Sequence, residues 1–139
     1  MTIPLWVLLG FAAWTLSVLT FSIGVYRWYQ IFFGGAMIAG WRADGTQGAE
    51  WYQRATRAHM NCVENLPVYG AVALAAALAG VGGRDIDILA VTLLVARIGQ
   101  SLVHISRPQT ELIAALRFSL YMVQVVCMVS MGVLIALRA

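Results

Sequence analysis

Lysine is absent from this chain, and charge of either sign is scarce: nine arginines and six acids, 11% of 139 residues. Ordinary globular domains carry roughly a quarter charged residues. With 61% hydrophobic residues and a mean hydropathy of +0.81, the chain lacks the polar surface that would coat a water-soluble sphere. Lipid is the expected solvent. The missing lysine has a second implication. A merely solubilising surface mixes the two bases, whereas arginine suits two-pronged recognition of carboxylate or phosphate. The net charge of +3 forms no dense basic patch, so no nucleic-acid partner is expected. Cysteine is limited to Cys62 and Cys127, both in apolar stretches, and neither a disulfide nor a metal motif is expected of them. Strand alternation, linkers and low-complexity tracts are also lacking.

What is there is four long hydrophobic segments. Residues 1–26 hold no charge, enough to cross ~30 Å of hydrocarbon at 1.5 Å per residue. Without a basic n-region or a short h-region, this segment is expected to stay in the mature protein. Apolar character then runs past Arg27 to Trp41, more than one span needs, so the helix should end near Gly34, Gly35 or Gly40. Residues 42–50 form a first polar loop flanked by Trp41 and Trp51, an interfacial aromatic pair. In the second segment Pro67 should kink or loosen the helix, and Gly80, Gly82 and Gly83 end it. The expected fold is an all-α membrane protein, an antiparallel four-transmembrane-helix bundle. It forms one domain over residues 1–139, with helices at about 3–34, 51–79, 86–105 and 110–137. Arg42, Arg54, Arg57 and Arg107 lie on the side of the first and third loops, against Arg84 and Arg138 opposite. That bias puts the two loops in the cytoplasm and both termini outside.

The chemistry lies in where polar residues interrupt these segments. Arg54, Arg57, Asn61 and Glu64 are spaced at steps of three, four and three, one face of the second helix, with His59 and Asn65 nearby. Arg97, Gln100, Ser101 and His104 make a stripe on the third, and Arg117, Tyr121 and Gln124 another on the fourth. Arg27 comes from the first. Antiparallel threading brings these stripes to one leaflet: Arg97 sits about 11–13 Å before the end of its span and Arg117 about 10 Å into its own. Each intramembrane arginine costs ~2.5–3.5 kcal/mol even on the lenient insertion scale. Several at one level, against the single acid Glu64, require an anion. The pattern specifies a cationic cavity open to one side of the membrane, suited to a peptide-like molecule with two carboxylates and an ammonium.

The run from Arg54 to Pro67, RATRAHMNCVENLP, resembles the signature of the membrane-associated proteins in eicosanoid and glutathione metabolism. That family includes microsomal glutathione transferases, leukotriene and prostaglandin synthases, and a non-catalytic lipoxygenase-activating protein. The resemblance covers essentially the whole chain and implies a homotrimer with sites between subunits. It also implies glutathione as co-substrate and a lipophilic second substrate arriving from the bilayer. By position it makes Arg57, Asn61, Glu64, Asn65, Arg97, Gln100 and His104 glutathione contacts, with a looser match for Arg27. Arg117, facing the thiol, and Tyr121 become the catalytic pair. Asn65, Gln100 and His104 stand where various relatives have tyrosine. Phe118 stands where the prostaglandin synthase has serine, which argues against that isomerase chemistry. The implied protein is a glutathione transferase or peroxidase acting on lipophilic electrophiles or lipid hydroperoxides. It is read as a bacterial member in the inner membrane, its cavity facing the cytoplasm.

Plainer readings stand beside these. Arg54 also reads as an interfacial residue reaching for water, Arg57 with Glu64 as a structural pair, and His104 as a cap on the third helix. Tyr121 and Gln124 also read as polar glue between helices. A scaffold that binds lipid or a glutathione-like ligand without chemistry is the alternative function. An ion or solute pathway is disfavoured, because the other leaflet is almost purely apolar.

Overall fold

A computed structural model of the chain describes residues 1–42 and 46–139, so part of the first polar loop, residues 43–45, lies outside the described residues. Four helices are long and apolar enough to cross a membrane: α1 (Ile3–Phe33), α2 (Glu50–Leu78), α3 (Arg84–Ser106) and α4 (Glu111–Arg138). The described residues contain no strand. The shortest helix, of 23 residues, spans about 35 Å, enough for the hydrocarbon core.

Local sequence explains the ends. Pro4 sits in the first turn of α1, where its missing N–H costs nothing. The helix stops at Phe33, before Gly34 and a left-handed Gly35 (φ 70°). The α2–α3 turn uses Gly80 (φ 66°) and Gly83 (φ 143°), conformations that a Cβ would oppose. Thr110 caps α4, its hydroxyl accepting from the Ile113 N–H at 3.3 Å. The chain stays helical through Pro67. The proline removes one backbone bond and the helix continues beyond it.

One irregularity in α1 has no local sequence signal. Residues Leu19–Gly24 are π-helical. The buried residues of α1 are Pro4, Val7, Phe11, Thr15, Val18 and Ile23, at steps of three, four, four, three and then five. In α-helical geometry a step of five swings the side chain roughly 140° off the face. The wider turn returns Ile23 to the core.

The main apolar core joins Val7 and Phe11 of α1, Cys62 and Tyr69 of α2, Leu93 of α3 and Met131 of α4. Tyr69 Oη donates to the Pro4 carbonyl at 2.9 Å, tying the start of α1 to α2. Toward the other end of α1, Ile23, Tyr52 and Ala55 form a smaller cluster. There Tyr26 stacks on Tyr52 at 4.4 Å between centroids and meets Trp51 edge-on at 5.3 Å. At the opposite end of the bundle, Arg138 makes a two-pronged ion pair with Asp85, one arm at 3.1 Å. Both cysteines are free and buried. Large apolar side chains including Leu9, Leu16, Phe21, Val95, Val126 and Leu137 point outward, as lipid contact requires. The most extensive helix packing is α3 on α4, whereas α4 touches α2 only lightly. That asymmetry opens a space between α2, α3 and α4.

Candidate functional site

The space is a cleft of about 340 Å³. From α2 it is lined by Asn61, Glu64 and Asn65, whose steps of three and one keep them on adjoining parts of one face. From α3 it receives Gln100, and from α4 Arg117 and Tyr121, one turn apart. Three further residues complete it: Gln109 of the α3–α4 loop, and Ala114 and Phe118 of α4. Sequence alone does not mark these three as site residues. Gln109 sits in the loop at the face where the polar stripes converge, and that position is the one signal pointing to it.

The other predicted residues surround the cleft without lining it. Arg97 is 1% exposed, inside the bundle, its guanidinium carbon 5.6 Å from the Phe11 ring centroid. Its Nε and Nη2 have no hydrogen-bond partner. The charged or polar groups that reach it electrostatically are Cys62, Tyr121 and Glu64. His104 is 3% exposed with both ring nitrogens unpartnered, in the field of Arg117, Arg57 and Arg54. Arg57 is exposed on the side of α2. Arg54 donates from Nε to the Ile105 carbonyl at 3.1 Å and approaches Glu50 at 3.9 Å, so it ties α2 to the end of α3.

Arg27 stands apart. Its Nε donates to Tyr52 Oη at 2.7 Å. Its guanidinium carbon lies 5.5 Å from the Trp41 ring centroid and 5.9 Å from that of Tyr52. In the single chain it belongs to the aromatic cluster and not to the cleft. His59 does not line the cleft either, and its Nδ1 is buried without a hydrogen-bond partner among the described residues.

Charge is unbalanced here. Among the described residues, no carboxylate lies within ion-pair distance of Arg57, Arg97 or Arg117. Among the same residues no group of three His, Cys, Asp or Glu side chains is arranged to hold a metal. What the arrangement offers is guanidinium charge, amide donors from Asn61, Asn65 and Gln100, one carboxylate and one phenol around a small volume. Such a set binds an anionic, hydrogen-bonding molecule.

A membrane-spanning four-helix bundle with a polar cleft between three of its helices, lined by Arg117 and flanked by further arginines, is the class that fold and site define. The chain matches the family model described as "MAPEG family" over residues 3–137, nearly its full length, and belongs to that family. No curated protein and no solved structure matches it. The family includes glutathione transferases and peroxidases as well as members without catalytic activity. The chain is thus an integral, multi-pass membrane protein.

Proposed function

We propose that this protein is a glutathione-dependent transferase or peroxidase acting on lipophilic electrophiles or lipid hydroperoxides. The observation that carries this reading is the convergence of Arg117, Tyr121, Asn61, Glu64, Asn65 and Gln100 on one cleft, beside arginines with no carboxylate partner. Glutathione supplies the missing anions. Its carboxylates would take the Arg57 charge and lie in the field of Arg97, which sits behind the cleft, its ammonium would face Glu64, and its thiol would point toward Arg117. A free thiol titrates near pH 8.5, and an adjacent guanidinium favours the thiolate, which is the nucleophile. Tyr121, one turn on, would steer the thiolate or donate to the departing group. The apolar surface of α4 next to the cleft, at Phe118, Met122 and Val126, would admit a co-substrate from the bilayer.

The reading includes a homotrimer. Arg57 and Glu64 are exposed on a membrane-spanning helix, where lipid contact is costly. A neighbouring copy would cover them and close the site, and His104 and Arg27 would complete it. The small residues Ala71 and Ala75 on the outside of α2 allow close approach. On this reading the cleft faces the cytoplasm, the side that the loop arginines favour, and the membrane is a bacterial inner membrane.

The test is retention of detergent-purified protein on immobilised glutathione, then turnover with a generic lipophilic electrophile and with a lipid hydroperoxide. Binding with turnover of either is expected. Binding without turnover across several co-substrates favours the scaffold reading, and no binding removes glutathione from the account.

A further inference from the structure

Two buried glutamines connect α3 to the turn of α4 that faces the cleft. Gln124 is 1% and Gln100 6% exposed. Gln124 Nε2 donates to Gln100 Oε1 at 3.1 Å and to the Leu120 carbonyl at 2.9 Å. Gln100 Nε2 in turn donates to the Arg117 carbonyl at 3.1 Å. Both carbonyls belong to the single turn that carries Arg117 and Tyr121. A carbonyl has two lone pairs, so this bond can add to the helix's own.

No residue of α4 before Gln124 is fully buried. Leu112 and Phe118 point outward at 78% and 63% exposure, and the buried residues Cys127, Met128, Met131 and Ile135 all lie farther along. Apolar packing is non-directional and tolerates sliding, whereas a buried amide pair accepts one axial position and one rotation. Losing either partner strands a polar group away from water.

We propose that Gln124, acting through Gln100, is a positioning residue: it sets the height and rotation of the Arg117–Tyr121 turn against the cleft. The proposal rests on the thiolate chemistry proposed above. It assigns Gln124 no contact with the ligand, because Gln124 does not line the cleft.

The experiment uses full-length protein in detergent, with reduced glutathione as the probe and Gln124→Met and Gln124→Ala as variants. Glutathione affinity, kcat, KM and the pH midpoint of thiolate absorbance are measured for each. In both variants kcat should fall roughly tenfold or more, since displacing catalytic groups by about 1 Å can cost a hundredfold. The thiolate midpoint should move up toward the free-thiol value while glutathione affinity stays within about twofold, well under the 1.4 kcal/mol of a tenfold change. A Gln100→Met, Gln124→Met double variant should lose no more kcat than Gln100→Met alone, as a relay requires. An unchanged midpoint and kcat in both single variants overturns the proposal and leaves the proposed function standing. So does failure of both to fold, or parallel loss of affinity, kcat and melting temperature, which would make the pair a stability element only. A wild type that forms no thiolate overturns both.

Discussion

Arg97 of α3 packs its guanidinium against the ring of Phe11 of α1, 5.6 Å from the centroid, inside the bundle. A desolvated cation–π contact is worth about 2 kcal/mol, less than the several kcal/mol that burying an ion costs. The charge is therefore undercompensated until an anion arrives. Arg97→Met, which keeps volume, should leave the melting temperature of the unliganded protein unchanged or raise it. It should also weaken glutathione binding by the ~2–5 kcal/mol typical of truncating a buried charge partner. Thermal melting and calorimetric titration read the two effects separately. A variant that melts lower yet binds normally would make Arg97 purely architectural.

Arg117 should control the protonation of the bound thiol. A guanidinium near sulfur favours the anion, so the thiolate signal should appear below the ~8.5 midpoint of the free thiol and persist as pH rises. In Arg117→Ala the midpoint should return upward, so that at neutral pH the ultraviolet thiolate band is lost and above about pH 9 it reappears. Arg84→Ala, at the opposite end of α3, should match the wild type. Equal signals from the two variants at neutral pH would take Arg117 out of this role.

His104 and Arg97 share a helix face but should separate functionally. His104 lies in the field of three arginines with neither nitrogen bonded, so an apolar ring of similar size should be tolerated. His104→Phe is expected to alter turnover with little loss of glutathione affinity, measured by steady-state kinetics beside direct binding. Loss of binding as large as that of Arg97→Met would place it among the anchoring groups instead.

Assembly is open to direct measurement. Arg57 and Glu64 facing outward from a spanning helix predict that a trimer persists in mild detergents. Native mass spectrometry detecting monomer alone across several of them would weigh heavily against sites shared between subunits. An Arg57→Leu, Glu64→Leu double variant that remained trimeric but lost glutathione binding would separate the two roles of this face.

The architecture was legible because each span holds a long apolar run with few charges and is flanked by glycine, proline or tryptophan, signals that lie within each segment. The α2 stripe was legible in part: of Arg54, Arg57, Asn61 and Glu64, Asn61 and Glu64 face the cleft with the neighbouring Asn65, while Arg54 bonds the Ile105 carbonyl and Arg57 is exposed on the side of the helix. The rotation of α3 was not. Its own period groups Arg97, Gln100, Ser101 and His104, but how that face turns is set by the partners Phe11 and Cys62 and by the Gln124 amide. Most of the stripe therefore points into the bundle, and Gln100 alone of the four reaches the cleft. Arg27 shows the same limit. Nothing local to the first segment says that Tyr52, twenty-five residues later, will take its Nε.

The π-helical stretch at Leu19–Gly24 bears on how this chain tolerates change in its own length. A wide turn of this kind is what an α-helix becomes when it absorbs one extra residue without rotating the turns beyond it. Here the beneficiaries are Ile23, Tyr26 and Arg27, which stay aligned with Tyr52. Excising a single residue, Thr20 for instance, should let the wide turn relax into ordinary α-helix and keep that alignment. The same excision at Ala13, in the regular half of α1, would turn every later side chain by roughly 100°. Helix α1 thus carries one site of slack, and length variation among related chains is expected to gather there.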